Sequence, residues 1–430
     1  MSKSTQSKHA ATSAAGPAVP DEVTVVLTEM MSSAREGLLA FAVGTGLQVM
    51  QTIMDEQVAA LCGPPSKHNR ERLGYRHGRE AGSVTLGGRR IAVERPRVRA
   101  ADRSGELAVP AYQLFAGTEV LGAMAMERML AGLSTRRYSV GLEPVGEAVQ
   151  AAASATSRSA VSRKFVQATE RALAELLAVP LAGVDLVALM VDGVYFAEHC
   201  CVVALGIDSD GHKHPLALAE GSTENATLVR DLLTRLRDER GLDVTKPILV
   251  VIDGAKALRR AVLDVFEQPV IQRCQLHKVR NVLDKLPERL RETVGRRMRQ
   301  AYHADSALDA EAQLQALARE LDKTHPGAAA SLREGLAETL TVLALDVPPT
   351  LARTLRSTNA IDSMIEICRE HAKNVKRWRD GMMAIRWCAA GMLEAKKQFR
   401  RVNGYLHLPA LRTALERSVS EGIRDRGHAA

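Results

Sequence analysis

Two apolar runs of strand length end in the same way. Val187 to Val191 meets Asp192-Gly193, and Ile248 to Ile252 meets Asp253-Gly254. Four to six consecutive apolar residues bounded by glycine read as strands buried on both faces. An acid at the end of such a strand can turn toward solvent while the strand holds its backbone rigid. Two strands side by side would bring two carboxylates to one point. An all-oxygen donor set of this kind favours Mg²⁺ or Mn²⁺. The plainer account is that each aspartate only caps its Asp-Gly turn.

The text between the two acids constrains the fold further. Val184 to Phe196, then CCVVALGIDSDG from Cys200, then HKHPLALAEGS from His212 read as three close strands. Helical spacing follows from Glu224 to Glu239, with Thr223 as a candidate N-cap and Glu224 as a first-turn acid. The first three strands can pair as an antiparallel meander, and the fourth, reached by a helical crossover, can lie parallel. That is the strand order of an RNase H-like core, although a doubly wound nucleotide fold could begin similarly. Gln268 to Cys274 offers a fifth strand. From Leu276 to about Thr350 Leu and Ala recur among Arg and Glu without a strand, which predicts a helical insertion. Another helix starts near Thr358 or Asn359. The stretch to Phe399 holds two, interrupted at Gly381.

Ahead of this α/β part the pattern is mainly helical and basic. Val23 to Leu61 has helical spacing stopped by Gly63-Pro64-Pro65. Gly87-Gly88 divides two short extended pieces, Gly82 to Leu86 and Arg90 to Glu94, which predicts a small hairpin. Gly117 to Ala182 reads as several helices. The expected organisation is a disordered start over 1–21, a mainly helical region with a small basic hairpin over 22–182 and the first part of the core over 183–275. The helical insertion follows over 276–350, then core helices over 351–405 and a tail over 406–430.

The net charge of +8 is weak evidence of a polyanionic partner. Its distribution is more informative. Lys67 to Arg103 holds eleven Lys/Arg against four Asp/Glu, and Ile367 to Arg401 ten against three, so the rest is acidic on balance. Two separated basic segments suit two contacts with a phosphate backbone, or ordinary solvated faces. Candidate DNA contacts are Arg76, Arg79, Arg89, Arg90, Lys256, Arg369, Lys373, Lys376, Arg377 and Arg379. Trp378 and Trp387 lie in the second segment, where they either stack on bases or anchor a helix to the core. Six scattered cysteines fit a reducing cytoplasm, and charges interrupt every long apolar run, so no membrane span is expected.

A third acid to accompany Asp192 and Asp253 has three candidates, Asp362, Glu366 and Glu370, one helical turn apart in STNAIDSMIEICREH. Cys274 and His277 form a C-x-x-H that suits half of a zinc site, without a second half nearby. Packing for Cys274, and active-site support or core packing for His277, are the other readings. Cys200 and Cys201 fall inside an apolar strand. His212, Lys213 and His214 fall at a hairpin tip.

Long stretches resemble the Mutator-type transposases of bacterial insertion sequences. They include VDGVYF at 191–196, ALGIDSDGHKHPLALAEGSTENA from Ala204, VVIDGAKALRRAV from Val250 and QRCQLHKVRNV from Gln272. SLREGLAETLTVL from Ser331, STNAIDSMIEICREHAKNVKRWRDG from Ser357, YRHGR at 75–79, GLSTRRY at 132–138 and GMLEAKKQFR from Gly391 extend it over roughly 30 to 410. The resemblance implies a DDE-type, metal-dependent nuclease and strand transferase with an RNase H-like core interrupted by a helical insertion. Asp192, Asp253 and Asp362 would be its catalytic and metal-binding acids, holding two Mg²⁺ or Mn²⁺ ions, with Glu366, His277 and Cys274 auxiliary. Its partners would be double-stranded DNA at terminal inverted repeats, target DNA and a second copy or more of the chain, on the nucleoid in the cytoplasm. One departure stands out: the family's third acid is normally Glu. Aspartate is one methylene shorter, and about 1 Å of misplacement can cost on the order of a hundredfold in rate. The alternative is therefore a DNA-binding relative with weakened or lost catalysis.

Overall fold

A computed structural model describes residues 21–428 apart from His68, Pro144, Gly146 and Glu224. The start expected to be disordered, residues 1–20, and the first-turn acid Glu224 lie outside the described residues. The chain divides into two compact units. One runs to Leu121 and includes Arg136–Val161; the other comprises Gly122–Thr135 and the chain from Ser162 onward. The division falls earlier than the boundary at 182 read from sequence.

In the first unit helix α1 (Asp21–Cys62) precedes a hairpin of β1 (Gly74–Leu86) and β2 (Arg89–Ala100), followed by β3 (Glu106–Leu107) and α2 (Pro110–Ala116). Met50, Met54, Val58 and Cys62 recur every four residues and bury one stripe of α1 against Val84, Ile91 and Val98 of the hairpin. Leu86 pairs with Arg89 across Gly87-Gly88. Both glycines have positive φ (52° and 79°), as a type I′ two-residue turn requires. The strands run well beyond the pieces read from sequence. Charged residues that look unfavourable for a sheet pair across it: Arg95 with Glu80 directly opposite, and Arg97 with Glu106 at 2.8 Å.

Between and after these lie α3 (Glu119–Leu130), α4 (Glu147–Ala151), β4 (Ala153–Ser154) and α5 (Arg158–Ala178). The second unit then builds one sheet from β5 (Leu186–Phe196), β6 (His199–Asp208), β7 (Lys213–Gly221), β8 (Ile248–Ile252) and β9 (Pro269–Arg273). Their order is β7-β6-β5-β8-β9. The first three form an antiparallel meander, and β8 and β9 lie parallel to β5. Helices α6 (Ala226–Asp238) and α7 (Lys256–Val265) bury Leu232, Leu233, Leu236, Leu258 and Val262 in a core cluster against the sheet. Asn225, not Thr223, caps α6: its side chain accepts from the Leu228 N–H at 3.0 Å.

From α8 (Gln275–Leu283) the chain makes the expected insertion: α9 (Glu288–Ala301), α10 (Ala307–Asp322), α11 (Pro326–Arg333), α12 (Leu336–Thr339), α13 (Thr341–Ala344) and α14 (Pro349–Leu355). It has its own apolar cluster around Val294, Met298, Leu314 and Leu332. Polar bonds join it to the end of β9. The Gln272 and Gln275 amides both donate to the Thr339 carbonyl at 2.9 Å. The buried Lys278 ammonium donates to the Ser331 and Glu334 carbonyls at 2.8 and 2.7 Å, meeting acceptors that the end of α11 leaves free. Arg273 donates to Glu338 at 2.5 Å. Helices α15 (Asn359–Ala372), α16 (Gly381–Gln398) and α17 (Leu408–His428) close the chain. Gly381 opens α16 behind the cap residue Asp380.

Gly335, at φ 60°, sits against Arg273, and a Cβ there would lie 2.4 Å from the guanidinium carbon. Gly335→Ala should therefore cost about 2 kcal/mol or more in a urea unfolding experiment, because strain and a clash coincide. Gly327→Ala, where a Cβ meets nothing, should be neutral or slightly stabilising.

Candidate active site

The β5–β8 pairing sets Ala188, Leu189 and Met190 opposite Leu249, Val250 and Val251. Continued two residues further, the same register puts Asp192 level with Asp253. Only Asp253 stands at a strand end, just past β8. Asp192 and Gly193 lie inside β5, which runs on to Phe196 and pairs with β6 throughout, so the strand end and Asp-Gly turn expected at 192 are not formed. Each aspartate commits one oxygen to a nearby backbone N–H. Asp192 Oδ1 accepts from the Gly193 N–H at 2.8 Å, and Asp253 Oδ1 from the Ala255 N–H at 2.7 Å. In both, the held oxygen fixes the direction of the other.

Asp362 reaches this point from the first turn of α15. Its carboxyl lies close enough to that of Asp192 to push the latter's ionisation up. Thr358, fully buried just before the helix, organises the approach. Its hydroxyl donates to Asp362 Oδ2 at 3.0 Å, and it lies 3.4 Å from both His277 Nδ1 and Cys274 Sγ. Sequence reading missed Thr358. The signal was a threonine at a helix start, four residues ahead of the acid.

Burial pushes the Asp192 carboxyl up to about 7, and the facing Asp362 and Asp253 add to the rise. His277 is pushed up to about 9, first by its hydrogen bond with Cys274 and further by the charges of Asp192 and Asp362. Cys274 is buried, which alone would raise its thiol, but bonds with His277 and Thr358 hold it below the ordinary value. Cys274 and His277 therefore stand together behind the acids.

The remaining candidates are placed elsewhere. Glu366 is exposed and faces Arg369 at 3.8 Å, and Glu370 pairs with Lys373. Arg89 and Arg90 correct the sequence reading. Arg89 is buried and donates to Gln150 and to the Gly87 and Glu143 carbonyls. Arg90 donates to Ser83, Thr85 and the Ala116 carbonyl. Their guanidiniums brace the hairpin instead of facing solvent. Arg79 is exposed but paired with Asp55 at 2.9 Å, whereas Arg76, Lys256, Lys376, Arg377 and Arg379 are exposed. Trp378 packs on Phe196 at 4.8 Å, and the buried Trp387 packs on Phe165 at 4.7 Å, so both anchor the second unit. His212 and His214 both face Asp208 at the β6–β7 turn. All six cysteines are free and buried.

Among the described residues no three His, Cys, Asp or Glu side chains are gathered tightly enough to hold a metal ion as they stand. The donor chemistry nevertheless suits a hard cation: Asp253 and Asp362 both act on the Asp192 carboxyl, and that repulsion is what a cation would relieve. No described helix is long and apolar enough to cross a membrane.

These shifts fix a pH dependence. Asp192 takes up its proton more readily folded than unfolded, so its contribution to stability is full below about pH 4 and is lost as pH rises through 7. His277 has a folded value above its unfolded one, so its contribution is full below about pH 6.5 and is lost through 9. Without divalent metal the Tm should fall steadily from pH 5 to 9. Asp192→Asn should flatten the lower part of that fall and raise the Tm at pH 8. A profile for Asp192→Asn parallel to that of the unaltered chain contradicts this account.

The family described as "Transposase, Mutator family" matches residues 24–402. The transposase for insertion sequence element ISRM5 of Rhizobium meliloti (strain 1021) is 27% identical over 370 residues, covering 85% of this chain and 89% of that protein. The transposase for IS6120 of Mycolicibacterium smegmatis is 30% identical over 253 residues, covering 57% of this chain and 75% of its own. With a match spanning nearly its whole length, the chain belongs to the Mutator family of transposases.

Proposed function

We propose that this chain is a DDE-type insertion-sequence transposase that cuts and rejoins DNA at terminal inverted repeats. The observation that carries this reading is the approach of Asp253, past the end of β8, and Asp362, at the start of α15, to Asp192 within the parallel neighbour strand β5. The sheet order, with its meander followed by two parallel strands, is read as an RNase H-like core. The three carboxylates would hold Mg²⁺ or Mn²⁺, two ions per site. Such ions supply charge neutralisation at the phosphate and a bound water of lowered pKa.

Around them the chain's own residues do the positioning. Thr358 holds Asp362 by its hydroxyl, while the Gly193 and Ala255 amides aim Asp192 and Asp253. His277, kept positive at neutral pH, faces the acids and offsets part of their charge. The reaction is first hydrolysis: water attacks the phosphorus at a transposon end and the 3′ oxygen leaves as a hydroxyl. That 3′-OH then attacks a second phosphodiester, so one ester bond forms as another breaks and no external energy source is required. The exposed Arg76, Lys256, Lys376, Arg377 and Arg379 are the phosphate contacts in this reading. Bringing two ends together calls for a homodimer or larger assembly, working on the nucleoid.

Asp362 also permits a second reading, a DNA-binding relative with weak catalysis. Its reach to Asp192 favours the active enzyme. The test is cleavage of duplexes taken from the ends flanking the gene, with Mg²⁺ or Mn²⁺. Asp192→Asn and Asp253→Asn should each reduce cleavage by about a thousandfold or more, by analogy with removal of other transition-state charge stabilisers. Asp362→Glu should cleave within about tenfold of the unaltered chain, well short of the hundredfold that 1 Å of misplacement can cost. An inactive natural chain rescued by Asp362→Glu establishes the second reading instead.

A further inference from the structure

Arg386, on α16, is only 6% exposed, yet among the described residues no carboxylate pairs with it. Its bonds are two long ones, from Nε to the Met382 carbonyl at 3.2 Å and from Nη1 to Thr169 Oγ1 at 3.4 Å. The contrast with Arg273 is plain: that buried guanidinium lies 2.5 Å from Glu338. An unpaired buried cation is expensive to maintain unless something else neutralises it. Beside Arg386 lies a cavity of about 350 Å³, entirely within the second unit. Arg379, Asn374 and Ser162 line it with Arg386, and Phe165 and Trp387 give it an aromatic wall. Asn374 supplies a second unmet group, because its Oδ1 is shut away without a hydrogen-bond partner.

Strand β5 and helix α15 both lead from the acids toward the cavity. Strand β5 continues past Asp192 to Phe196, whose ring packs on Trp378, and Trp378 meets Trp387 at 6.3 Å. Helix α15 runs from Asp362 in its first turn to its last residue, Ala372, over roughly 15 Å at 1.5 Å per residue, about four nucleotides of duplex rise, and Asn374 follows just beyond it. A ligand for it must carry negative charge for Arg386 and Arg379, a flat apolar face for the aromatic wall and a hydrogen-bonding edge for Asn374. One nucleotide has all three.

We infer that this cavity binds a single nucleotide turned out of the DNA a few positions from the cut, with its phosphate on Arg386 and Arg379 and its base along the aromatic wall. The inference rests on the transposase reading above. It names a site that this reading does not require. The base, once enclosed, also satisfies Asn374 when the amide turns toward it, so occupancy removes two liabilities that the free protein carries.

The chain has two tryptophans, both in this aromatic group, which gives a built-in reporter. In a Trp378→Phe chain, Trp387 reports alone. The probes are a ten-residue thymidine oligonucleotide, the same backbone with abasic positions, and inorganic phosphate, with overall binding followed separately by anisotropy of a labelled oligonucleotide. The thymidine oligonucleotide should quench Trp387 and the abasic one should not. Arg386→Gln should weaken thymidine-oligonucleotide binding about tenfold, the loss of one charged hydrogen bond, while leaving the Tm unchanged or higher. Ser162→Phe, entering from an exposed position, should abolish quenching without unfolding the chain. Equal quenching by the abasic strand or by phosphate overturns the nucleotide and leaves an anion site. Quenching unmoved by Arg386→Gln and Ser162→Phe, or a large fall in Tm for Arg386→Gln, overturns the cavity. If no DNA binds by anisotropy, the transposase reading itself fails, a result distinguishable from loss of the cavity alone.

Discussion

Parallel pairing of β5 with β8 is the constraint on which the rest of the site depends. A parallel pair fixes which residues stand level, and here the register brings Asp192, inside β5, level with Asp253, just past the end of β8. A slip of one residue would send one carboxylate to the opposite face of the sheet. The register is strongly specified because both strands are buried along their apolar length, from Leu186 to Val191 and from Ile248 to Ile252. The hydrophobic core thus determines where charge can be concentrated. Buried like charges would not assemble by their own attraction, so packing imposes their proximity, and the rise of Asp192 to about 7 is the electrostatic result.

The helical insertion contributes to the same geometry from the other side. It leaves the sheet after β9 and returns immediately before Thr358 and Asp362, so its docking determines where the third acid is delivered. The bonds from Gln272, Gln275 and Lys278 to insertion carbonyls are directional and buried, which makes the docking specific as well as stable. Arg273 joins the two ends of this arrangement: a side chain added at Gly254, beside Asp253, would meet it at 3.4 Å, and it bonds Glu338 within the insertion.

Much of this was legible in the chain. Apolar runs gave the strands, their spacing gave a meander followed by a crossover, and the absence of strand pattern after Leu276 gave the insertion. Asp192 and Asp253 could be picked out because each follows an apolar strand run and precedes glycine, whereas only the family resemblance singled out Asp362 from Glu366 and Glu370. What stayed hidden depends on tertiary pairing. Nothing local distinguishes Arg89 and Arg90, which brace a hairpin, from Arg76 at its far end, which is exposed. The hairpin's length was underestimated because its charges are satisfied by partners on the other strand. Thr358 and Arg386 escaped notice for the same reason: their importance comes from what packs around them.

The account rests on three carboxylates acting together on divalent metal, and calorimetric titration with Mn²⁺ in the presence of an end duplex addresses that most directly. Two ions should bind per chain, with Asp253→Asn and Asp362→Ala each removing binding while the fold persists. Mn²⁺ binding that is undiminished in both variants would contradict the assignment of these acids as one site.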